Sequence, residues 1–231
     1  MEQNKKHTNE EPQEAIENAL SSTEIFLRDH SKILLGVIGA IIVVVAAVFC
    51  YKNFVSQPKE QEAATQMFVA EQLFAGDKFE EALNGDGNNL GFLDIIKKYA
   101  STPQGNLAYR YAGICYMKLN KWNEAIKYLS QVKSGKGVPG EIMNAMTAGM
   151  IGDCYVQLGD YASAKTHYGN AVAISSNKLT TPMYLKKLGM VLEQLNDNKA
   201  ALDAYKRIKY DFVTSIEARD ISKYIGRVEQ K

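Results

Sequence analysis

The chain has 231 residues, 46% hydrophobic and 23% charged, which is enough apolar material to bury a core and too much for a collagenous or wholly disordered chain. With 27 basic and 26 acidic side chains the net charge is +1, so no global field points to nucleic acid or anionic lipid. Three cysteines (Cys50, Cys115, Cys154) are too few and too scattered for a disulfide scaffold or a structural zinc site, and five prolines amid long periodic stretches argue against an all-β fold.

Residues 1–32 form a polar, acidic tail. The Ser21-Ser22-Thr23-Glu24 pattern offers a start for a short juxtamembrane helix. Residues 33–54 read as a transmembrane helix. Within them, residues 33–51 are 19 positions without a charge, about 28 Å of helix and close to the thickness of a bilayer core. Lys32 and Lys52 bracket the run, while Tyr51 and Phe54 fall at interfacial depth. The long acidic lead and the Cys50-Tyr51-Lys52-Asn53 exit do not suit a cleaved signal peptide. A buried core helix would show a polar stripe, and none is present. The flanking basic residues tie, Arg28 and Lys32 against Lys52 and Lys59. The shorter amino-terminal side fits an arrangement with the larger domain exported.

Residues 55–104 read as a linker helix and a degenerate first hairpin. A long helix is expected over 59–83, ending in Phe79-Glu80-Glu81-Ala82-Leu83. A second is expected over 91–99, carrying Phe92, Leu93, Ile95 and Ile96. Residues 105–231 then repeat. The stretches 112–126, 151–165 and 188–202 align without gaps, with glycine at Gly113, Gly152 and Gly189, intervals of 39 and 37. Tyr116, Tyr155 and Leu192 follow three residues after the glycine, and Ala125, Ala164 and Ala201 follow twelve after it. Leu129, Tyr168 and Tyr205 follow at sixteen. Glycine and alanine let two helices cross closely, the larger side chains fill the space between them, and Asn120, Gly159 or Asn196 reverses the chain. Extra residues fall in turns at 134–140 and 175–177. From residue 215 to 228, Ile216, Ile221, Tyr224, Ile225 and Val228 outline a closing amphipathic helix. Arg219, Lys223, Arg227 and Glu229 supply its polar side.

This pattern resembles the tetratricopeptide repeat, with units at about 106–139, 145–176 and 182–213. The implied class is all-α: a single N-terminal transmembrane helix followed by a tetratricopeptide-repeat α-solenoid. In that family, five positions of each first helix face a concave groove. Counted with the glycine as position eight, they are Leu107, Arg110, Ile114, Met117 and Lys118; then Met146, Gly149, Asp153, Val156 and Gln157; then Met183, Lys186, Met190, Glu193 and Gln194. Four methionines in the set suit an adaptable apolar surface for peptides, although methionine at helical spacing is also ordinary core. Members that clamp a terminal carboxylate carry Asn at the ninth position. Here Ile114, Asp153 and Met190 stand there, which disfavours that ligand.

No catalytic constellation emerges. The segment 86–91 lacks the oxygen ligands of a calcium loop at its fifth and twelfth places, where Leu90 and Lys97 stand. Ser134-Gly135-Lys136-Gly137 lacks the remaining residues of a phosphate loop. His7, His30 and His167 are far apart in sequence, and His167 reads as a packing or surface group. Cys115 and Cys154 hold the same place in successive units, about 10 Å or more apart, so they read as buried packing groups and not as a disulfide. The expectation is a non-enzymatic chain with no cofactor and no metal.

The charged tail, the single anchor, the Asn84-Gly85-Asp86-Gly87-Asn88-Asn89-Leu90-Gly91-Phe92-Leu93-Asp94 segment and Thr102-Pro103-Gln104-Gly105-Asn106-Leu107-Ala108 extend the resemblance. Over residues 20–231 the layout resembles the YfgM-like anchored tetratricopeptide proteins of Gram-negative bacteria, especially those of Bacteroidetes type. That resemblance implies an inner-membrane protein with a cytoplasmic amino terminus and a periplasmic repeat domain. It would serve as an ancillary partner of the Sec translocon that assists exported or unfolded polypeptides. Its partners would be translocon subunits, such polypeptides and, through the anchor, the lipid bilayer, with no nucleic acid. The alternative is an assembly scaffold for an outer-membrane or cell-wall complex.

Overall fold

The computed structural model describes residues 27–174 and 176–230, and among these no β-strand occurs. The expected helix start at 21–24, His7 and Ser175 lie outside the described residues. The chain divides at Pro58 into two compact units.

The first unit contains α1, Ser31–Tyr51, a helix with no buried residue that is long and apolar enough to cross a membrane. A π-helical turn, Lys52–Ser56, follows it, closed by the Gln57 N–H donating to the Lys52 carbonyl. Pro58 explains the wider turn. It has no N–H for the Phe54 carbonyl, and its ring crowds that carbonyl unless the helix opens there.

The second unit, which starts at Lys59, holds all but the first two residues of α2, Gln57–Ala75, and then α3, Phe79–Asn84. The long helix expected over 59–83 is therefore two helices. Gly76-Asp77-Lys78 separates them, with Asp77 at φ 59° and the Lys78 N–H donating to Leu73 O at 3.0 Å. This reversal recurs after α5 (Pro103–Lys118), α7 (Gly137–Gln157) and α9 (Thr181–Gln194). The left-handed residue is Asn120 (φ 57°), Gly159 (75°) and Asn196 (59°) in turn. In each, the next N–H reaches back five residues: Lys121 to Tyr116 at 2.9 Å, Asp160 to Tyr155 at 2.9 Å, Asp197 to Leu192 at 2.9 Å. This is the Schellman closure, which satisfies the last carbonyls of a helix when a residue of positive φ follows.

The second helices are α6 (Trp122–Leu129), α8 (Tyr161–Ile174) and α10 (Asn198–Asp211). Ala82, Ala125, Ala164 and Ala201, each four residues into its hairpin's second helix, are 0% exposed. Opposite them, a Cβ on Gly113 would lie closer than 3.0 Å to Leu129, one on Gly152 to Tyr168 and one on Gly189 to Tyr205. The same place in the first hairpin holds Ala70, also fully buried. There α3 stops at Asn84, before any wedging side chain, so a methyl group fits. The chain then turns at Gly85 (φ 85°), where Asp86 accepts from the N–H groups of Asn88 and Asn89 at 2.9 and 2.7 Å. α4, Phe92–Tyr99, packs Phe92 and Ile95 against Ala63, Met67 and Ala70 of α2.

One inter-hairpin turn differs from expectation. α7 begins at Gly137 and absorbs half of the expected 134–140 turn. Asn144 holds the remainder by pairing with both the N–H and the carbonyl of Gly135 at 3.0 Å. Ahead of α9, Asn177 accepts from the N–H groups of Leu179 and Thr180 at 2.8 and 2.7 Å.

Each first helix is apolar on two sides. On α9, Leu185 and Leu192 pack with Ala201, Tyr205 and Ile208, while Tyr184 and Val191 pack with Ala164, Tyr168 and Ala171 of the preceding hairpin. The last helix, α11 (Ile221–Glu229), keeps only one such side. Ile221, Ile225 and Val228 pack on α10, whereas Ser222, Gly226 and Glu229 stand where Leu185, Gly189 and Leu192 stand on α9. A solenoid end must be polar outward. The closing helix expected from residue 215 starts only at Ile221, after a 3₁₀ turn at Glu217–Arg219, and Ile216 leaves the apolar face to become 73% exposed.

Candidate peptide-binding surface

Two depressions lie along the first helices. One, about 410 Å³, is lined by Met183, Lys186, Lys187 and Met190 of α9 and by Ile216, Glu217, Arg219 and Asp220. The other, about 320 Å³, is lined by Met117, Trp122, Asp153, Val156, Gln157, Tyr168 and Lys187. Lys187 borders both.

The charges here are paired between successive first helices. Lys187 Nζ donates to the two Asp153 carboxylate oxygens at 2.6 and 2.8 Å, and the Tyr168 hydroxyl donates to Oδ1 at 2.6 Å. The same ammonium lies 5.9 Å from the ring centres of both Tyr168 and Tyr184. Lys186 donates to Asp220 at 2.7 and 2.9 Å and sits 4.6 Å over Tyr224. The hydrogen bond from Lys186 holds the Asp220 carboxyl below its usual range. Burial, followed by the hydrogen bond to Asp153, pushes the Tyr168 phenol upward, and burial with the Asp153 charge pushes Tyr184 to about 12.

Of the residues expected to share the groove, Met117, Asp153, Val156 and Gln157 line one depression and Met183, Lys186 and Met190 line the other. Arg110 and Glu193 are corrections to the expected surface. Arg110 is 7% exposed, its guanidinium set against the sulfurs of Met143 and Met146, and burial lowers its pKa. Glu193 is 8% exposed and accepts from the Tyr205 hydroxyl at 2.8 Å and from Arg227 Nε at 3.0 Å. Both are pulled inward because the next first helix crosses over them. Gly149 is covered likewise, by the ring of Tyr184. Leu107 packs in the first core cluster, Ile114 and Met146 are half-buried, and Lys118 reaches back over the Phe79 ring at 5.9 Å. Gln194 is exposed and lines neither depression.

The packing residues lie between helices. Tyr116 stacks on Tyr128 at 5.2 Å and Tyr155 on His167 at 5.3 Å. Leu192, Ala201 and Tyr205 share one cluster, Ala125 and Leu129 another, and Ala164 and Tyr168 a third. Sequence reasoning did not assign Trp122 or Lys187 to this surface, and it placed Ile216 and Arg219 on a closing helix instead. The lone tryptophan at the start of a second helix was the one usable signal. The others reach the surface through the crossing of α9 with the 3₁₀ turn, which no local pattern encodes.

Among the described residues no group of three or more His, Cys, Asp or Glu could hold a metal. Cys115 and Cys154 are free and buried, and burial pushes both thiols up to about 12.

Comparison with known proteins agrees with this architecture. Residues 107–134 and 147–178 each match a tetratricopeptide repeat model. No curated protein matches the chain significantly in sequence. Among solved structures, MamA protein is 16% identical with a TM-score of 0.52, over 73% of this chain and 90% of that one. A second MamA structure is also 16% identical, with a TM-score of 0.50 over 70% and 93%. The nearly identical TPR-like repeats of a Podosopora anserina kinesin light chain are 13% identical with a TM-score of 0.55, over 74% and 86%. Identity this low speaks for fold alone. The fold of residues 59–230 is a tetratricopeptide-type α-solenoid, an architecture that serves as a scaffold for protein–protein interaction.

Proposed function

We propose that the protein is a membrane-tethered, protein-binding scaffold whose repeat unit holds other polypeptides beside the Sec translocon on the periplasmic side of the inner membrane. The observation that carries this reading is the pair of depressions beside Lys187 on a repeat scaffold whose chain also contains a helix fit to cross a bilayer. The resemblance to YfgM-like anchored proteins supports the translocon and the chaperone-like role. Tethering raises the local concentration of the surface near emerging chains, so weak contacts suffice.

The test is a photo-cross-linking side chain at Met190 in the full-length protein in its native membrane, with affinity purification in mild detergent. Exported polypeptides in the cross-link and translocon subunits in the purified complex are expected. Recovery of outer-membrane or wall-assembly proteins instead would reassign the scaffold to envelope assembly. A silent Met190 probe would remove the surface from consideration.

A further inference from the structure

We infer that one edge of the repeat unit, the row of turns joining each hairpin to the next, is a membrane-contact surface that rests on anionic phospholipid headgroups. This deepens the scaffold reading and rests on its view of α1 as a bilayer anchor.

The net charge of +1 conceals a division between the two edges of the stack. The turns between hairpins, residues 97–106, 130–140 and 176–182, hold Lys97, Lys98, Lys133, Lys136 and Lys178 and not one acid. All five lysines are exposed, and among the described residues no carboxylate lies within 4.0 Å of their ammonium groups. The reversals at the opposite edge, residues 75–81, 118–124, 157–163 and 194–200, hold six acids and four lysines. Helix chemistry does not account for the lysines. Lys97 and Lys98 complete the last turn of α4, where a cation suits the helix end. Lys136, however, stands at the start of α7, where the positive helix end disfavours one, and Lys133 and Lys178 lie outside any helix.

The exposed aliphatic side chains of these turns are their neighbours. Val138, 69% exposed, comes two residues after Lys136, and Leu179, 67% exposed, follows Lys178. Lysine beside an exposed aliphatic tip is the composition of a surface that lies in the headgroup layer. The ammonium pairs with phosphate while the tip enters the acyl boundary. A purely acidic partner would use the lysines and has no need of the tips.

Chain connectivity brings this edge to the bilayer. Its first turn is bonded to the place where the chain enters the unit: Lys59 Nζ donates to Ser101 Oγ at 3.4 Å, and the Tyr99 hydroxyl donates to Glu62 at 2.8 Å. The second turn is bonded to the first through Asn106, which accepts from the Lys133 N–H at 2.6 Å and donates to its carbonyl at 3.1 Å. Lys59 comes eight residues after Tyr51, the end of the uncharged run. That length of chain spans at most about 27 Å fully extended and about 12 Å as helix. The tether thus holds the first turn close to the headgroups and gives the edge a high local concentration of them. Glu60 and Glu62 offset Lys59, so the positive field comes from the turns themselves. The last turn, residues 212–220, is not part of the surface, because Glu217 and Asp220 outnumber Arg219 there.

The experiment uses the full-length protein in nanodiscs that carry brominated lipid, with a dye on single cysteines in a Cys50→Ser background, where Cys115 and Cys154 are buried. The dye is placed at Leu179→Cys on this edge, at Asn123→Cys on the opposite edge and at Val43→Cys within α1. The Leu179 dye should be quenched at least about twofold more with phosphatidylglycerol present than in phosphatidylcholine alone, and about 1 M salt should remove the difference. The Asn123 dye should stay unquenched. Replacing all five lysines by glutamine, at exposed positions and with the circular dichroism unchanged, should abolish the phosphatidylglycerol-dependent part. Quenching at Leu179 that is absent, or equal in the two lipids, while Val43 is quenched overturns this inference and leaves the anchor in place. Equal quenching at Leu179 and Asn123 overturns it as well, since contact would not select the edge. A Leu179 dye that responds to added polyglutamate and not to lipid would give the edge to an acidic polypeptide and overturn it. No quenching at Val43 would remove the anchor and with it both readings.

Discussion

The ring of Tyr205 occupies the space that a Cβ on Gly189 would need. The glycine is therefore a condition of how closely α9 and α10 cross, and Gly226, at the equivalent place on α11, has nothing within 4 Å. Gly189→Ala should destabilise the repeat unit by about 1–3 kcal/mol through overpacking. Gly226→Ala should stabilise it by up to about 1 kcal/mol, because alanine is the better helix former and the site is open. Urea titrations followed by circular dichroism compare the two, and equal effects would refute the packing account.

Arg110 is buried against two thioethers, with no carboxylate within 4.0 Å among the described residues. An uncompensated buried cation costs stability, so Arg110→Met should be neutral or stabilising by about 1 kcal/mol. Arg110→Glu, which places an unpaired anion in the same setting, should lower the midpoint sharply. Thermal melts of the two variants check the prediction, and a large loss in the methionine variant would show that the guanidinium has an essential partner.

His167 stacks on Tyr155, and burial holds its pKa below the usual 6.5. The folded state thus binds the proton less readily than the unfolded chain does. The contribution of this histidine is fully present above 6.5 and is lost as pH falls through that value toward the lower folded one. Melting temperatures of the wild type and His167→Gln should therefore draw together on acidification from neutral pH. Parallel curves would show that His167 stays solvated.

The buried thiols of Cys115 and Cys154 should be silent to Ellman's reagent at mildly alkaline pH, since burial keeps them protonated and out of reach. In a Cys50→Ser background no thiol should titrate in the native protein, and two should titrate in denaturant. A disulfide between them would appear as no titration in either condition.

Much of the fold was legible because the repeat relies on residues with one mechanical job. Glycine at a helix crossing, alanine opposite it and asparagine or glycine at the reversal recur at fixed spacing, and spacing is a property of the chain. The first hairpin was harder to read. Its turn uses Asp77 in place of Asn or Gly and its second helix stops after six residues, so a break looked like one long helix. The surface was legible only as a face. Helical periodicity places Met183 and Met190 together, but it also placed Arg110 and Glu193 there, and both are covered by the following first helix.

The amino-acid sequence alone determined the apolar span, the hairpin period and the side of each first helix that turns away from its partner, because these depend on hydropathy and local turn chemistry. Only the tertiary structure decided which charges cancel. Lys187 with Asp153, Lys186 with Asp220 and Arg227 with Glu193 are each 34 residues apart in sequence. They meet because stacking sets successive first helices side by side, and a long-range ion pair exists only once packing has supplied the distance.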